Sequence, residues 1–427
     1  MPPPNAPPQG PPPPFFWGDT PEEEYHKSHG VRSSKSFFET PTGKIFTQSW
    51  LPLDEDQPIK GSVFMTHGYG GDISWCFQEI CIAYAKWGYA VFAADLPGHG
   101  YSDGIPGYIG DFDKTAESQL SYFVSVRKSE PYRNLPAFLF GQSMGGLMTM
   151  IMYFHSDPDT WSGLILSSPL LIIPDVMLPS KLHLTMYGML FGAADTWAAM
   201  PPRPRANGVR DPQKGKLILM NPKRYSGKPR VGTMREIARC TEYVRNNFEK
   251  VTVPFFVAHG TADGMASHTG PEMLYEKSAT PKEDKELKLY DGMYHVLIQG
   301  EPDEAAAQVL ADMKAWIDEK SQKFASKCLE RNLEQSGEKQ RKDGNVMAIM
   351  RERNFKMVKH SIVPISKVSL ALSSLTGIEP LRVRPLCPFD KSRRFVKYQY
   401  PLPSVGMRPG NSPVQLAFMT IKAIMKI

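Results

Sequence analysis

The chain has 427 residues, 41% of them hydrophobic, enough to bury the core of one large α/β domain with further segments, which excludes a small stapled scaffold. Its five cysteines, Cys76, Cys81, Cys240, Cys328 and Cys387, show neither metal-ligand spacing nor a disulfide framework, so no metal is expected and a reducing, cytoplasmic setting is. The net charge of +6 is uneven: from Ser321 onward there are 20 Lys+Arg against 7 Asp+Glu, leaving 30 against 37 for the rest, so the acidic domain is not expected to bind nucleic acid.

Residues 1–30 read as a tail. Its first sixteen positions are dominated by proline, which favours extended polyproline II over a packed core. No run of 18 or more apolar residues stands clear of charge and proline, and no basic segment precedes an apolar stretch at the start. Neither a membrane span nor a signal peptide is therefore expected.

Residues 31–320 read as one α/β domain. Phe37 to Trp50 alternates around Pro41-Thr42-Gly43 and predicts an antiparallel hairpin. Apolar runs at Ser62 to Met65, Ala90 to Ala94, Ala137 to Phe140, Gly163 to Leu166, Pro254 to Ala258 and Leu287 to Tyr290 then alternate with helical stretches. That rhythm implies a mostly parallel central sheet with helices on both faces. Between about 169 and 250 it stops, for too long to be an idle connection, and an inserted helical cap is expected there.

Within the cap, Leu184 to Met200 reads as a buried or pocket-lining helix interrupted by Asp195. Its later half carries Arg203, Arg205, Arg210, Lys214, Lys216, Lys223, Arg224, Lys228 and Arg230 against the single acid Asp211. Such a stretch is either a solvated face or a surface favouring anionic headgroups or acidic substrates, so peripheral membrane contact through the cap is one expectation. A helix near Pro302 to Lys320 closes the domain. Residues 321–427 are basic, proline-punctuated and without strand and helix rhythm, which predicts a largely disordered extension. Its last residues, Leu416 to Ile427, could form a short basic amphipathic helix.

The chemistry-bearing motif is Gly141-Gln142-Ser143-Met144-Gly145-Gly146, between an apolar strand and a helix. A serine on so sharp a turn needs small neighbours two residues either side, and Gly141 and Gly145 supply them. A serine hydroxyl is a weak nucleophile unless a base sits beside it and a carboxylate orients that base. In this architecture the order is Ser, then Asp/Glu, then His. Asp263, in His259-Gly260-Thr261-Ala262-Asp263, follows one strand and His295 follows the next. His259 and His99 read as structural. The oxyanion donors should be the backbone N–H groups of Met144 and of Tyr69, in the glycine-rich turn His67-Gly68-Tyr69-Gly70-Gly71.

With these residues in view, the chain resembles the α/β-hydrolase superfamily, and more closely the plant monoacylglycerol lipase-like group that includes the caffeoylshikimate esterases, also called lysophospholipase 2-like proteins. The likeness spans roughly Asn5 to Lys320. It rests on HGYGGDISW (67–75), WGYAVFAADLPGHGYSDG (87–104), FLFGQSMGG (138–146), ADTWAAMP (194–201), GKPRVGTMRE (227–236), HGTADG (259–264) and GMYHVLIQGEPDE (292–304). The resemblance implies the α/β-hydrolase fold, Ser143, Asp263 and His295 as a triad, no cofactor, and a small phenolic or lipid acyl ester as substrate. Acyl transfer by the same triad, or ligand binding without catalysis, are the alternatives. Gln142, where these proteins often have Glu, and Met265-Ala266-Ser267-His268, in place of Val-Thr-x-Pro, depart from the pattern. His67 and Asp72 also match the His-x4-Asp spacing noted for acyltransferases.

Overall fold

The computed structural model describes residues 13–174, 195–198 and 208–326. The expected hairpin is β1 (Val31–Thr40) and β2 (Gly43–Pro52), antiparallel with Phe38 opposite Ile45. The parallel strands are β3 (Ser62–Thr66), β4 (Ala90–Ala94), β5 (Ala137–Gln142), β6 (Gly163–Ser167), β7 (Phe255–Gly260) and β8 (Lys285–Tyr290). One sheet results, ordered β1-β2-β4-β3-β5-β6-β7-β8, and only the β1/β2 and β2/β4 pairings are antiparallel.

Every residue of β3 to β7 is buried, which explains why these segments read as short apolar runs rather than as alternating strands. The pleat divides them between two cores. Phe64, Phe92, Leu139, Leu164, Leu166 and Val257 face α3 (Phe112–Lys128), α4 (Met144–Phe154), α6 (Val231–Arg245) and α7 (Thr269–Lys277). Val63, Met65, Val91, Phe138, Phe140 and Phe256 face α2 (Gln78–Lys86) and α8, residues 303–326. A period of two in side-chain direction thus builds two cores from one sheet. Of the cap interval, α5 (Pro212–Leu219) and α6 are described. Most of Leu184 to Met200, together with Arg203 and Arg205, lies outside the described residues, as do 1–12 and 327–427 with the segment Leu416 to Ile427.

The folded region is longer at both ends than the sequence implied. Residues 13–30, assigned to the tail, carry α1 (Glu22–Ser28), where Trp17 stacks on Tyr25 with centroids 4.1 Å apart. His26 is buried and 3.1 Å from Gln78 Oε1. Aromatic side chains, which the proline count obscured, hold this segment. At the other end α8 continues past Lys320, because Lys320 and Ser321 are themselves buried: Lys320 Nζ donates to Glu283 O at 3.0 Å, and Ser321 Oγ–H donates at 3.1 Å to the Tyr89 hydroxyl, whose own proton goes to Asp318.

The turn from β5 into α4 is tightly packed against the neighbouring strand. A Cβ on Gly145 would lie 2.3 Å from Thr66 O and 2.5 Å from His67 O, both backbone atoms of the neighbouring strand end. Gly145→Ala is therefore expected to destabilise by about 3 kcal/mol or more, since neither oxygen can rotate away. Urea unfolding should show a lower midpoint with the slope unchanged; a wild-type midpoint would contradict this packing.

Candidate active site

Ser143 sits between β5 and α4 with φ 57° and ψ −121°, a conformation that L residues rarely adopt. Its surroundings hold it there. Ser143 N–H donates to Ser167 O at 3.0 Å, and Ser143 O accepts from Leu170 N–H at 2.9 Å. Gly141, whose added Cβ would meet Gly145 O at 2.4 Å, lets the strand pass directly under the helix start. The side chain is left projecting at the carboxyl edge of the sheet, where open α/β sheets bind ligands.

The loops after β7 and β8 bring Asp263 and His295 to the same place. His295 Nε2 is 2.7 Å from Ser143 Oγ, and His295 Nδ1 is 2.7 Å from Asp263 Oδ2. A carboxylate only accepts, so Nδ1 carries the proton and Nε2 is left to accept from the serine hydroxyl. Asp263 Oδ1 accepts from Met265 N–H at 2.7 Å and Ala266 N–H at 3.0 Å. Burial pushes the Asp263 carboxyl up, but hydrogen bonds from His259 and His295 outweigh it and hold it well below the usual carboxylate range.

His259 does more than brace the loop, the role its position suggested. Its Nε2 lies 3.0 Å from Asp263 Oδ2 and 3.2 Å from Ala266 O, so its one N–H is shared between the carboxylate oxygen facing His295 and a carbonyl of the loop. Both rings are buried. The i, i+4 spacing of His259 and Asp263 was the available signal, although nothing in the spacing tells which way a strand-end histidine turns.

Gly68 brings the glycine-rich loop against the nucleophile: a Cβ there would be 3.2 Å from Ser143 Cβ. Met144 is the first residue of α4, so its N–H is among those with no acceptor inside the helix. His67 is committed to the loop itself. Its Nδ1–H donates to Gly68 O at 2.8 Å and its Nε2 accepts from Leu96 N–H at 3.0 Å, so it is neutral and has no nitrogen left for acid or base work. Asp72 accepts from Ser74 N–H, Ser74 Oγ–H and Asn221 Nδ2–H at 2.8, 2.6 and 2.6 Å. The His-x4-Asp pair therefore shapes the loop.

Burial pushes the His67 imidazole down from 6.5 to about 4, and His99 beside it, buried likewise, to about 3. The folded chain binds these protons less tightly than the unfolded chain does, so stability is undiminished above about pH 6.5 and falls as pH drops toward 4. For His67 alone the loss is about 3 kcal/mol. Urea midpoints between pH 7 and 4.5 should fall accordingly, and His67→Asn should flatten that slope; an unchanged slope would show that His67 binds its proton equally well in the folded and unfolded chain.

A cavity of about 210 Å³ opens over Ser143 and His295. Trp75, Phe77, Ile218 and Met265 are among its apolar walls, and Asp72, Asn221, Arg224 and Gln299 among its polar ones. Gln142 donates to Gln299 Oε1 at 3.2 Å, which ties the elbow to the loop carrying His295. The basic stretch is only partly a solvated face. Arg210 lies 3.5 Å from buried Glu301, Lys214 pairs with Asp303 at 2.7 Å, and Lys223 lies 4.2 Å from the Tyr101 ring centre. Glu301 in turn accepts from Tyr294 N–H at 2.6 Å, next to His295. Composition could not have revealed these pairings, because each partner comes from a distant part of the chain.

Residues 57–303 match the family model described as serine aminopeptidase, S33, over more than half of the chain. The chain belongs to this family. It is a serine hydrolase of the α/β-hydrolase superfamily. It is 61% identical to the caffeoylshikimate esterase of Arabidopsis thaliana over 324 residues, 76% of this chain and 96% of that protein. It is 28% identical to the monoglyceride lipase of Rattus norvegicus, over 67% of this chain and 90% of the relative. Among solved structures, a soluble variant of the Saccharomyces cerevisiae monoglyceride lipase in complex with a substrate analog superposes with a TM-score of 0.55 at 21% identity, covering 67% of this chain and 94% of the other. At that identity the likeness speaks for the fold.

Proposed function

We propose that the protein cleaves caffeoylshikimate to caffeate and shikimate through an acyl-enzyme on Ser143. Ser143 Oγ attacks the ester carbonyl while His295 Nε2 takes its proton and then delivers it to the departing shikimate hydroxyl. Asp263 holds the imidazole and stabilises the imidazolium. A water molecule, deprotonated by His295 in the second half, attacks the caffeoyl carbonyl and frees the serine. The negative charge on the carbonyl oxygen is met by the N–H groups of Met144 and Tyr69, each contributing roughly 3 kcal/mol at the transition state.

The observation that carries this reading is the Ser143–His295–Asp263 chain of two 2.7 Å contacts in a protein 61% identical to a caffeoylshikimate esterase. A monoacylglycerol is the second substrate reading, supported by the apolar walls of the cavity and by the monoglyceride lipase relative. Incubating the full chain with each ester and following products chromatographically separates them. Release of caffeate and shikimate is expected, and turnover of neither ester would overturn both readings. Added glycerol distinguishes hydrolysis from acyl transfer, since a transferase would form a new caffeoyl ester in place of free caffeate.

A further inference from the structure

Within the basic stretch, Arg224 is turned toward the catalytic cavity, which it lines together with Ser143 and His295. Its place is fixed by backbone bonds: Arg224 N–H donates to Asn221 O at 3.3 Å, and the next residue, Tyr225, donates to Gly70 O at 3.0 Å in the loop beside the nucleophile. Its Nε is shielded from solvent and meets no acceptor. Among the described residues its guanidinium joins no ion pair, in contrast to Arg210 and Lys214. Asp72, the carboxylate whose field it feels, accepts hydrogen bonds from Ser74 and Asn221 instead.

A half-buried cation whose hydrogen-bonding fork is unfilled is costly, and one that opens into a substrate cavity is matched only when an anion enters. We infer that Arg224 is a specificity residue that receives an anionic group, a carboxylate or a phosphate, on the alcohol half of the ester. Its planar fork suits two oxygens of one such group. An ester with a neutral alcohol leaves the fork unfilled, so the enzyme discriminates by the difference. The inference rests on the ester-hydrolase reading of the Ser143 cavity. In caffeoylshikimate the acyl half is uncharged and the shikimate half carries the carboxylate, so the anion lies on the side the proposal requires.

The test uses the full chain and Arg224→Gln, with Arg224→Lys as a second variant. Competition against hydrolysis of 4-nitrophenyl acetate is measured for shikimate, glycerol 3-phosphate and glycerol. Wild type is expected to be inhibited by shikimate or by glycerol 3-phosphate more strongly than by glycerol, and the stronger of the two anions identifies carboxylate or phosphate. In Arg224→Gln the inhibition constant of that anion should rise roughly 10- to 100-fold, with Arg224→Lys in between. The ratio of kcat/KM for caffeoylshikimate over its carboxyl methyl ester should fall by a similar factor. A merely structural arginine would lower both esters together and leave that ratio unchanged. Equal inhibition constants in wild type and Arg224→Gln, or no anion preference in wild type, would overturn the inference. Absence of caffeoylshikimate turnover alone would overturn the substrate reading instead, because the inhibition arm needs only the chromogenic ester.

Discussion

Ser143→Ala is expected to reduce kcat for ester hydrolysis by roughly a factor of a million while leaving the fold intact. The hydroxyl oxygen is the atom 2.7 Å from His295 Nε2, and with it gone no acyl-enzyme can form. The backbone around it does not depend on that oxygen. The bonds that hold φ at 57° run through Ser143 N–H and O, to Ser167 and from Leu170, and alanine keeps both. The strain of a positive φ is common to both residues, so the thermal midpoint should stay near that of wild type. The measurement is steady-state hydrolysis together with labelling by a serine-directed fluorophosphonate. Wild type should label and the variant should not. Undiminished turnover in a folded, unlabelled variant would remove Ser143 from the mechanism.

Asp263→Asn is expected to cost about ten-thousandfold in kcat, through the histidine rather than through the serine. Asp263 Oδ1 accepts two backbone N–H groups, from Met265 and Ala266, so the oxygen of an asparagine amide must take that position. Its NH2 group is then forced into the place of Oδ2, facing the ring nitrogens of both His295 and His259. Facing a donor, His295 Nδ1 becomes the acceptor and the ring proton moves to Nε2. The nitrogen that should take the serine proton already holds one. His259 keeps Ala266 O, 3.2 Å from its Nε2, as an acceptor, so the loss falls on the rate more than on stability. Asp263→Asn with wild-type kcat/KM would show that the orientation of His295 is held by something other than this carboxylate.

The central strands were legible as apolar runs because residues buried on both sides of a sheet must be apolar throughout. Their ends were less so: β5 runs to Gln142 and β7 to Gly260, where polar and small residues stay buried because the nucleophile turn and the Asp263 loop pack over them. Proline in the first sixteen residues masked the Phe15, Phe16, Trp17 and Tyr25 cluster, whose rings gain their surface only against α1 and its neighbours. The helix after Asp303 was expected to end at Lys320, a lysine that reads as solvent-seeking. Here it is buried with its ammonium on Glu283 O and Asp284.

By itself the sequence determined the elbow, the order of Ser143, Asp263 and His295, and the parallel sheet that puts each after a strand end. These are local or ordinal properties: a turn needs its glycines, a buried strand its apolar run, and a chain its order. Tertiary structure alone decided that His259 shares Asp263 with His295, that His67 and Asp72 hold the loop, and that Arg224 faces the cavity while Arg210 and Lys214 find carboxylates. Each of those outcomes depends on which distant group lies within about 3 to 4 Å of a polar atom, and composition and spacing carry no information about that distance.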